Sequence, residues 1–219
     1  MTVSGGNKMS KQYSQIRQLT LAAFFIAIQV IMTVMQIGYI PIGPINVTTM
    51  HIPVILCGLF LGPAYGALAG FVFGLTSMLR ATFVPGITSF IFSPFITVGG
   101  ISGNFWSLII AFVPRILLGW MSAKLFRLFR RKGMKDLTSC AVTAALSTMT
   151  HTLLVMGMIG LFFGPSYAKA LGVDISALTG IIVGVITSNG ILETIAAAVI
   201  VPALDKALFP TIRRMRLGA

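Results

Sequence analysis

Charge is what this sequence has least of. Its 219 residues include 16 Lys and Arg, 4 Asp and Glu and 2 His, whereas a soluble domain needs roughly a quarter of its residues charged to cover its surface. With 56% hydrophobic residues and a mean hydropathy of +0.96, that scarcity excludes a water-soluble globular protein. The acids and histidines are too few and too dispersed for metal-ligand spacing. No Gly-x-x-x-x-Gly-Lys-Ser/Thr loop, His-Glu-x-x-His or Gly-x-Ser-x-Gly occurs, so nothing points to ATP hydrolysis, zinc chemistry or a serine nucleophile. No catalytic residue, metal or cofactor is therefore expected. Cys57 and Cys140 fall in different apolar runs and read as small core residues rather than a disulfide. An inverted repeat of the usual secondary-transporter type is also missing.

What the chain does have is long apolar runs, at approximately 18–37, 50–80, 106–123, 137–163 and 177–205. Crossing ~30 Å of hydrocarbon takes about 20 helical residues. The second run carries Gly62-Pro63 at its centre, where proline removes a backbone bond and clashes with the preceding turn. It is either one kinked span or two short ones.

The basic residues decide, because Lys and Arg accumulate in cytoplasmic loops. Lys8, Lys11 and Arg17 precede the first run, Lys124, Arg127, Arg130, Arg131, Lys132 and Lys135 share one connection, and Lys206, Arg213, Arg214 and Arg216 lie at the end. Two crossings within 50–80 put all three clusters on one side, leaving Arg80 and Lys169 outside and Arg115 within the membrane. The expected fold is thus an all-α integral membrane protein with six transmembrane helices and both termini cytoplasmic. The expected organisation is a disordered tail at 1–16, a transmembrane domain at 17–207 and a basic tail at 208–219. The first run is too long for a signal peptide and lacks a small-residue cleavage site, so it is expected to stay as the first span. Basic residues that follow a membrane rim, without an aromatic-studded face, argue against nucleic acid.

Three segments do not suit regular spans. Residues 83–103 are apolar but carry Pro85, Gly86, Pro94, Gly99, Gly100 and Gly103; residues 38–49 and 163–176 are the others. Irregular backbone near lipid must be covered by protein or line a watery cavity, so these loops are expected to cap an external pocket or to lie on the surface. Gly58, Gly62, Gly66, Gly70 and Gly74 recur in steps of four, a small-xxx-small ladder suited to close helix packing. Ala23 and Ala27 repeat the pattern on the first helix.

Ionisable groups at membrane depth are functional candidates by default. Arg115 lies roughly 15 Å and His151 about 18 Å below the external surface at 1.5 Å per residue. Asn189 lies at a similar depth to His151, with Glu193 one turn further on the same face. Arg115 and Glu193 read either as a structural ion pair or, with Arg115 available to a carboxylate, as part of a site for a small anion. A capped pocket with no energy source suggests a binding subunit that borrows its power.

The stretch Ile45-Asn-Val-Thr-Thr-Met-His-Ile-Pro-Val-Ile, followed by Gly58-Leu-Phe-Leu-Gly-Pro-Ala-Tyr-Gly-Ala-Leu-Ala-Gly-Phe-Val-Phe-Gly-Leu, resembles the substrate-binding S component of energy-coupling-factor (ECF) vitamin transporters. Phe92-Ser-Pro-Phe-Ile and Phe112-Val-Pro-Arg-Ile-Leu-Leu-Gly are similar to its pantothenate branch. The resemblance covers roughly residues 17–207. It implies a multi-pass protein of a prokaryotic cell membrane that captures a vitamin from outside, docks on a transmembrane coupling subunit with two ATPase subunits, and reorients to release its cargo. Ala23 and Ala27 match the family's docking surface.

Pantothenate carries one carboxylate, two hydroxyls and an amide. Arg115 or Arg80 would hold the carboxylate, Asn189 and His151 the hydroxyl or amide groups, and Tyr39, Asn46, Thr49 and Trp106 would line the mouth. Those roles come from depth and chemistry rather than from a family motif. Riboflavin, folate, a pyridine or a pyrimidine vitamin are alternatives within the family, and a self-sufficient carrier or an intramembrane enzyme outside it.

Overall fold

A computed structural model describes the backbone of residues 4–42 and 45–217, and side chains over 15–38, 48–208 and 210. Helix α1 (Ser4–Val34) leads into an antiparallel hairpin of β1 (Tyr39–Ile42) and β2 (Ile45–Thr48), in which Tyr39 pairs with Thr48. Helices α2 (Ile52–Leu61) and α3 (Pro63–Phe83) follow, then an irregular segment holding a 3-10 turn (Ser89–Ile91) and a small hairpin of β3 (Thr97–Val98) and β4 (Ile101–Ser102). Helices α4 (Phe105–Arg131) and α5 (Asp136–Leu171) complete the middle. The last crossing is α6 (Leu178–Val185), a π turn (Ile186–Gly190) and α7 (Ile191–Leu217) in unbroken succession.

Five of these helical stretches are long and apolar enough to cross a membrane: Gln15–Val34, Pro63–Phe83, Phe105–Arg131, Asp136–Leu171 and Ile175–Leu208. Together with α2 they form an all-α, multi-pass membrane fold, six helices among the described residues, where the two small hairpins are the only β structure. Helix α2, ten residues long, rises about 15 Å, half of a full crossing. It can be short because protein sheathes it: Val54, Ile55 and Cys57 at its middle have no exposed surface, and Ile52 and Leu61 at its ends are buried as well.

The other departures from expectation have local causes. Residues 163–171, read as loop, continue α5 through Pro165, and the helix ends only at Gly172, whose φ of 69° supplies the left-handed cap. Helix α1 begins at Ser4, and α7 runs through Pro202 and Pro210 to Leu217. No proline lies between Ser4 and Val34 to stop the backbone ladder.

Gly62-Pro63 is the break between α2 and α3. Gly62 has φ 102°, a region costly for any residue with a Cβ, and its N–H still closes α2 on the Gly58 carbonyl at 2.9 Å. Pro63 opens α3, where its missing N–H is not needed. A Cβ here would also approach Arg127 Nη2 to 2.5 Å. Gly62→Ala is expected to lower stability by about 1–2 kcal/mol, read as a lower thermal midpoint of the detergent-solubilised protein; an unchanged midpoint would contradict the strained corner.

In lipid the hydrophobic effect does not draw helices together, so close packing must. The glycine ladder provides it. A Cβ on Gly66 would run into the Gly119 carbonyl and one on Gly119 into the Gly66 carbonyl, while Gly70 lies against the Arg115 carbonyl. Gly74 faces the Ala111 carbonyl at 2.7 Å from the same hypothetical atom. Helices α3 and α4 thus meet backbone to backbone over three turns, with Arg115 at the middle. Apolar clusters flank this seam, one around Phe25, which stacks on Phe60 at 5.9 Å, and one around Phe90, edge-on to Phe163 at 5.7 Å.

Candidate functional site

Between these clusters, at the end of the bundle that carries β2, lies a cavity of about 390 Å³. Its size falls in the ordinary range for small-molecule sites. Helix α3 supplies Phe73, Ser77, Arg80 and Ala81, a single stripe at helical spacing adjacent to the glycine face that meets α4, and Val84 just past its end continues it. Arg115 and His151 complete the deep wall, with Thr33 of α1 and Thr48 and Met50 beside the hairpin. Thr88, Ser89 and Phe92 of the irregular segment form the cover. Among the described residues no acid lines this space, so two guanidinium groups set its charge.

A backbone defect fixes Arg115. Pro114 lies inside α4 and has no N–H to give the carbonyl four residues earlier, which belongs to Ile110. Arg115 repairs the ladder itself: Nη1 donates to the Ile110 carbonyl at 2.6 Å. Its guanidinium carbon then stands 5.1 Å from the Phe92 ring centroid and 5.7 Å from that of Phe73, within reach of cation–π attraction on both sides. The His151 ring stacks on Phe73 at 6.2 Å, and its Nε2 is buried with no hydrogen-bond partner among the described residues. The result is a guanidinium held between two aromatic rings with an imidazole alongside, a set of donors and apolar faces suited to a small organic anion.

The cover is ordered by short polar links. Asn104 caps α4, accepting from the Trp106 N–H at 2.9 Å while its own N–H donates to Ser107 Oγ at 3.1 Å. Ser107 Oγ in turn donates to the Phe90 carbonyl at 2.7 Å, and the hydroxyls of Thr82 and Ser93 are 2.7 Å apart. These bonds tie the segment to both α3 and α4 and so hold Phe92 over Arg115. On the other rim, Glu193 Oε1 accepts from the Thr48 N–H at 3.0 Å and from its hydroxyl at 2.7 Å. A carboxylate from α7 thereby moors β2 beside the cavity.

Of the residues singled out from sequence, Arg115, Arg80 and His151 meet in the cavity, and Glu193 touches it through Thr48. Asn189 sits in the π turn, accepting from Ser188 Oγ at 3.3 Å. Thr49 lies on a separate apolar groove between α1, α2 and α7 and donates to the Gly38 carbonyl at 3.3 Å. Trp106 stacks flat on Phe162 with centroids 3.9 Å apart, away from the lining. The side chains of Tyr39 and Asn46 lie outside the described residues. Ala23 and Ala27 are on an exposed face of α1, whereas Ala22 is buried.

Sequence reasoning passed over Phe73, Ser77, Phe92 and Thr33. Two signals were available. Phe73, Ser77 and Arg80 share one face of α3 by spacing, and Pro114-Arg115 pairs an orphaned carbonyl with a side chain able to reach it.

The profile of the family described as "ECF transporter, substrate-specific component" matches residues 17–204. The "Pantothenic acid transporter PanT" of Lactococcus lactis subsp. cremoris is 37% identical over 201 residues, 89% of this chain and 96% of that protein. The "Pantothenate transporter PanT" of Leuconostoc mesenteroides subsp. mesenteroides is 26% identical over 211 residues, 92% of this chain and 96% of that protein.

Proposed function

The chain belongs to the family of ECF transporter substrate-specific components, and we propose that it captures pantothenate from outside the cell and hands it to an ATP-driven coupling module. It is a transporter component of the cell membrane and not an enzyme. The observation that carries the ligand reading is the cavity's charge: Arg115 and Arg80 line it without an acid, and the curated relatives are named for an anionic vitamin. The carboxylate lies against Arg115 between Phe73 and Phe92, and the hydroxyls and amide are met by His151, Ser77 and Thr88. Arg80, closer to the mouth, draws the anion in. The termini face the cytoplasm, which puts the basic α4–α5 connection inside and the cavity's cover outside.

The exposed face of α1 around Ala23 and Ala27 is the docking surface for the coupling subunit, since small residues let a partner helix approach closely. Release follows reorientation on that subunit, driven by the two ATPases. Calorimetric titration of the purified protein with a panel of vitamins is the direct test. Saturable binding of pantothenate alone supports the reading; binding of riboflavin, folate or another vitamin replaces the ligand and keeps the transporter role. Ala27→Leu is expected to leave that binding within twofold while abolishing uptake by the reconstituted complex. Equal losses in both measurements would move Ala27 out of docking.

A further inference from the structure

Gln29 lies on α1 with no exposed surface, at a depth where a primary amide lacking partners would be strongly disfavoured. Its partners are on α3. In the orientation that satisfies both ends of the amide, its nitrogen donates to the Ala69 carbonyl at 3.2 Å and its oxygen accepts from the Phe73 N–H at 3.0 Å. Ala69 and Phe73 are four residues apart, the two ends of one backbone turn. The amide therefore braces a single turn of α3 from the side of α1. Within the same stretch, Gly70 is pressed against the Arg115 carbonyl of α4.

Phe73 is the residue this turn presents to the cavity, with its ring 6.2 Å from the His151 ring and 5.7 Å from the Arg115 guanidinium carbon. The backbone carbonyl of Gln29, distinct from its amide, accepts from Thr33 Oγ1 at 2.9 Å, and Thr33 lines the cavity one turn along α1. Gln29 itself is not in the lining. Apolar side chains between two helices tolerate small slips, whereas an amide bonded at both ends fixes one helix against the other. Interhelical hydrogen bonds in membranes contribute little stability individually, so the effect of this one falls on register.

We propose that Gln29 is a positioning residue for ligand recognition, setting the Phe73 ring beside Arg115 and His151 through the Ala69–Phe73 turn. This deepens the ligand reading above and rests on it. The test uses Gln29→Met, which keeps length and removes the amide, in the wild-type and Phe73→Leu backgrounds. Pantothenate titrations and hydrogen exchange of the ligand-free protein are read on each purified, full-length variant.

Gln29→Met is expected to weaken pantothenate binding at least tenfold with the ligand-free thermal midpoint within a few degrees. In the Phe73→Leu background the same substitution should change affinity less than twofold, since the ring it places is gone. Unchanged affinity, or an equal loss in both backgrounds, overturns the proposal. Should Gln29→Met not fold, Gln29→Asn, too short to reach both partners, carries the same expectation; failure of both to fold would make the residue structural and overturn the proposal. If the wild-type protein binds no pantothenate, the ligand reading fails separately. Exchange then decides the brace: about tenfold faster exchange of the peptide carrying the Phe73 N–H in Gln29→Met supports it, and unchanged exchange overturns it.

Discussion

Replacing Arg115 by alanine is expected to weaken pantothenate binding about a hundredfold, or ~3 kcal/mol, the upper range for a hydrogen bond to a charged group. The substitution alone is ambiguous, because Arg115 also satisfies the Ile110 carbonyl that Pro114 leaves without a donor. Losing that bond inside the bundle carries its own penalty of about 1–3 kcal/mol. The double variant Pro114→Ala/Arg115→Ala separates the two roles, since alanine at 114 restores the backbone N–H and with it the regular bond to Ile110. Its thermal midpoint should return to near the wild-type value while binding stays lost. If the double variant regains affinity, the arginine serves the helix and not the ligand. Arg115→Lys should recover only part of the affinity, because a point charge cannot reproduce a planar fork between two rings.

Gly70→Leu is expected to be among the most damaging single substitutions in the bundle. A Cβ at this position would meet the Arg115 carbonyl oxygen and carbon, and lies 2.9 Å from the Ile116 Cα. These are backbone atoms with no rotamer to yield, so the helices must separate along the seam that Gly66, Gly70 and Gly119 keep closed. A loss of about 3 kcal/mol or more follows, at or beyond the usual range for overpacking, and the folded yield should fall with it. Gly157→Leu is the control, since nothing lies within 4 Å of its added Cβ. Equal thermal midpoints for the two variants would contradict the backbone contact. Any Gly70→Leu protein that does fold should bind poorly, because the displaced α4 takes Arg115 with it.

The helices were legible because lipid makes so few demands: an apolar run of sufficient length is enough, and Gly62-Pro63 marked the one corner within such a run. Length misled at both ends of that rule. Helix α2 falls short of the length a lipid-facing span needs yet forms, since its burial inside the bundle replaces the length that contact with lipid would require. Residues 163–171 read as a loop from sequence, but α5 carries Pro165 within it and runs on to Leu171.

Arg115 and His151 could be picked out because ionisable groups inside a membrane demand an explanation, and Arg80 because a cation at the outer end of the third helix can meet a carboxylate. Phe73, Phe92 and Gln29 could not. An aromatic ring or an amide in an apolar run says nothing of its direction until the helices are packed. Trp106 illustrates the same limit from the other side, its position near the cover suggesting a mouth residue while its ring lies flat on Phe162.

The π turn at Ile186–Gly190 resets the angular phase of the last crossing. An α-helix advances about 100° per residue, and a turn closed by bonds five residues apart holds more chain than its neighbours, so everything beyond it is rotated relative to everything before. On the near side Leu178 points into the protein, and within the turn Thr187 and Ser188 bond carbonyls of their own helix, those of Val183 and Gly184. On the far side Ala197, Val201 and Asp205 are buried at four-residue intervals, and Glu193 precedes them on that same line. Helices α6 and α7 are thus two frames threaded on one backbone. The carboxylate that moors the hairpin takes its azimuth from the buried line of α7, whose phase that winding defect sets.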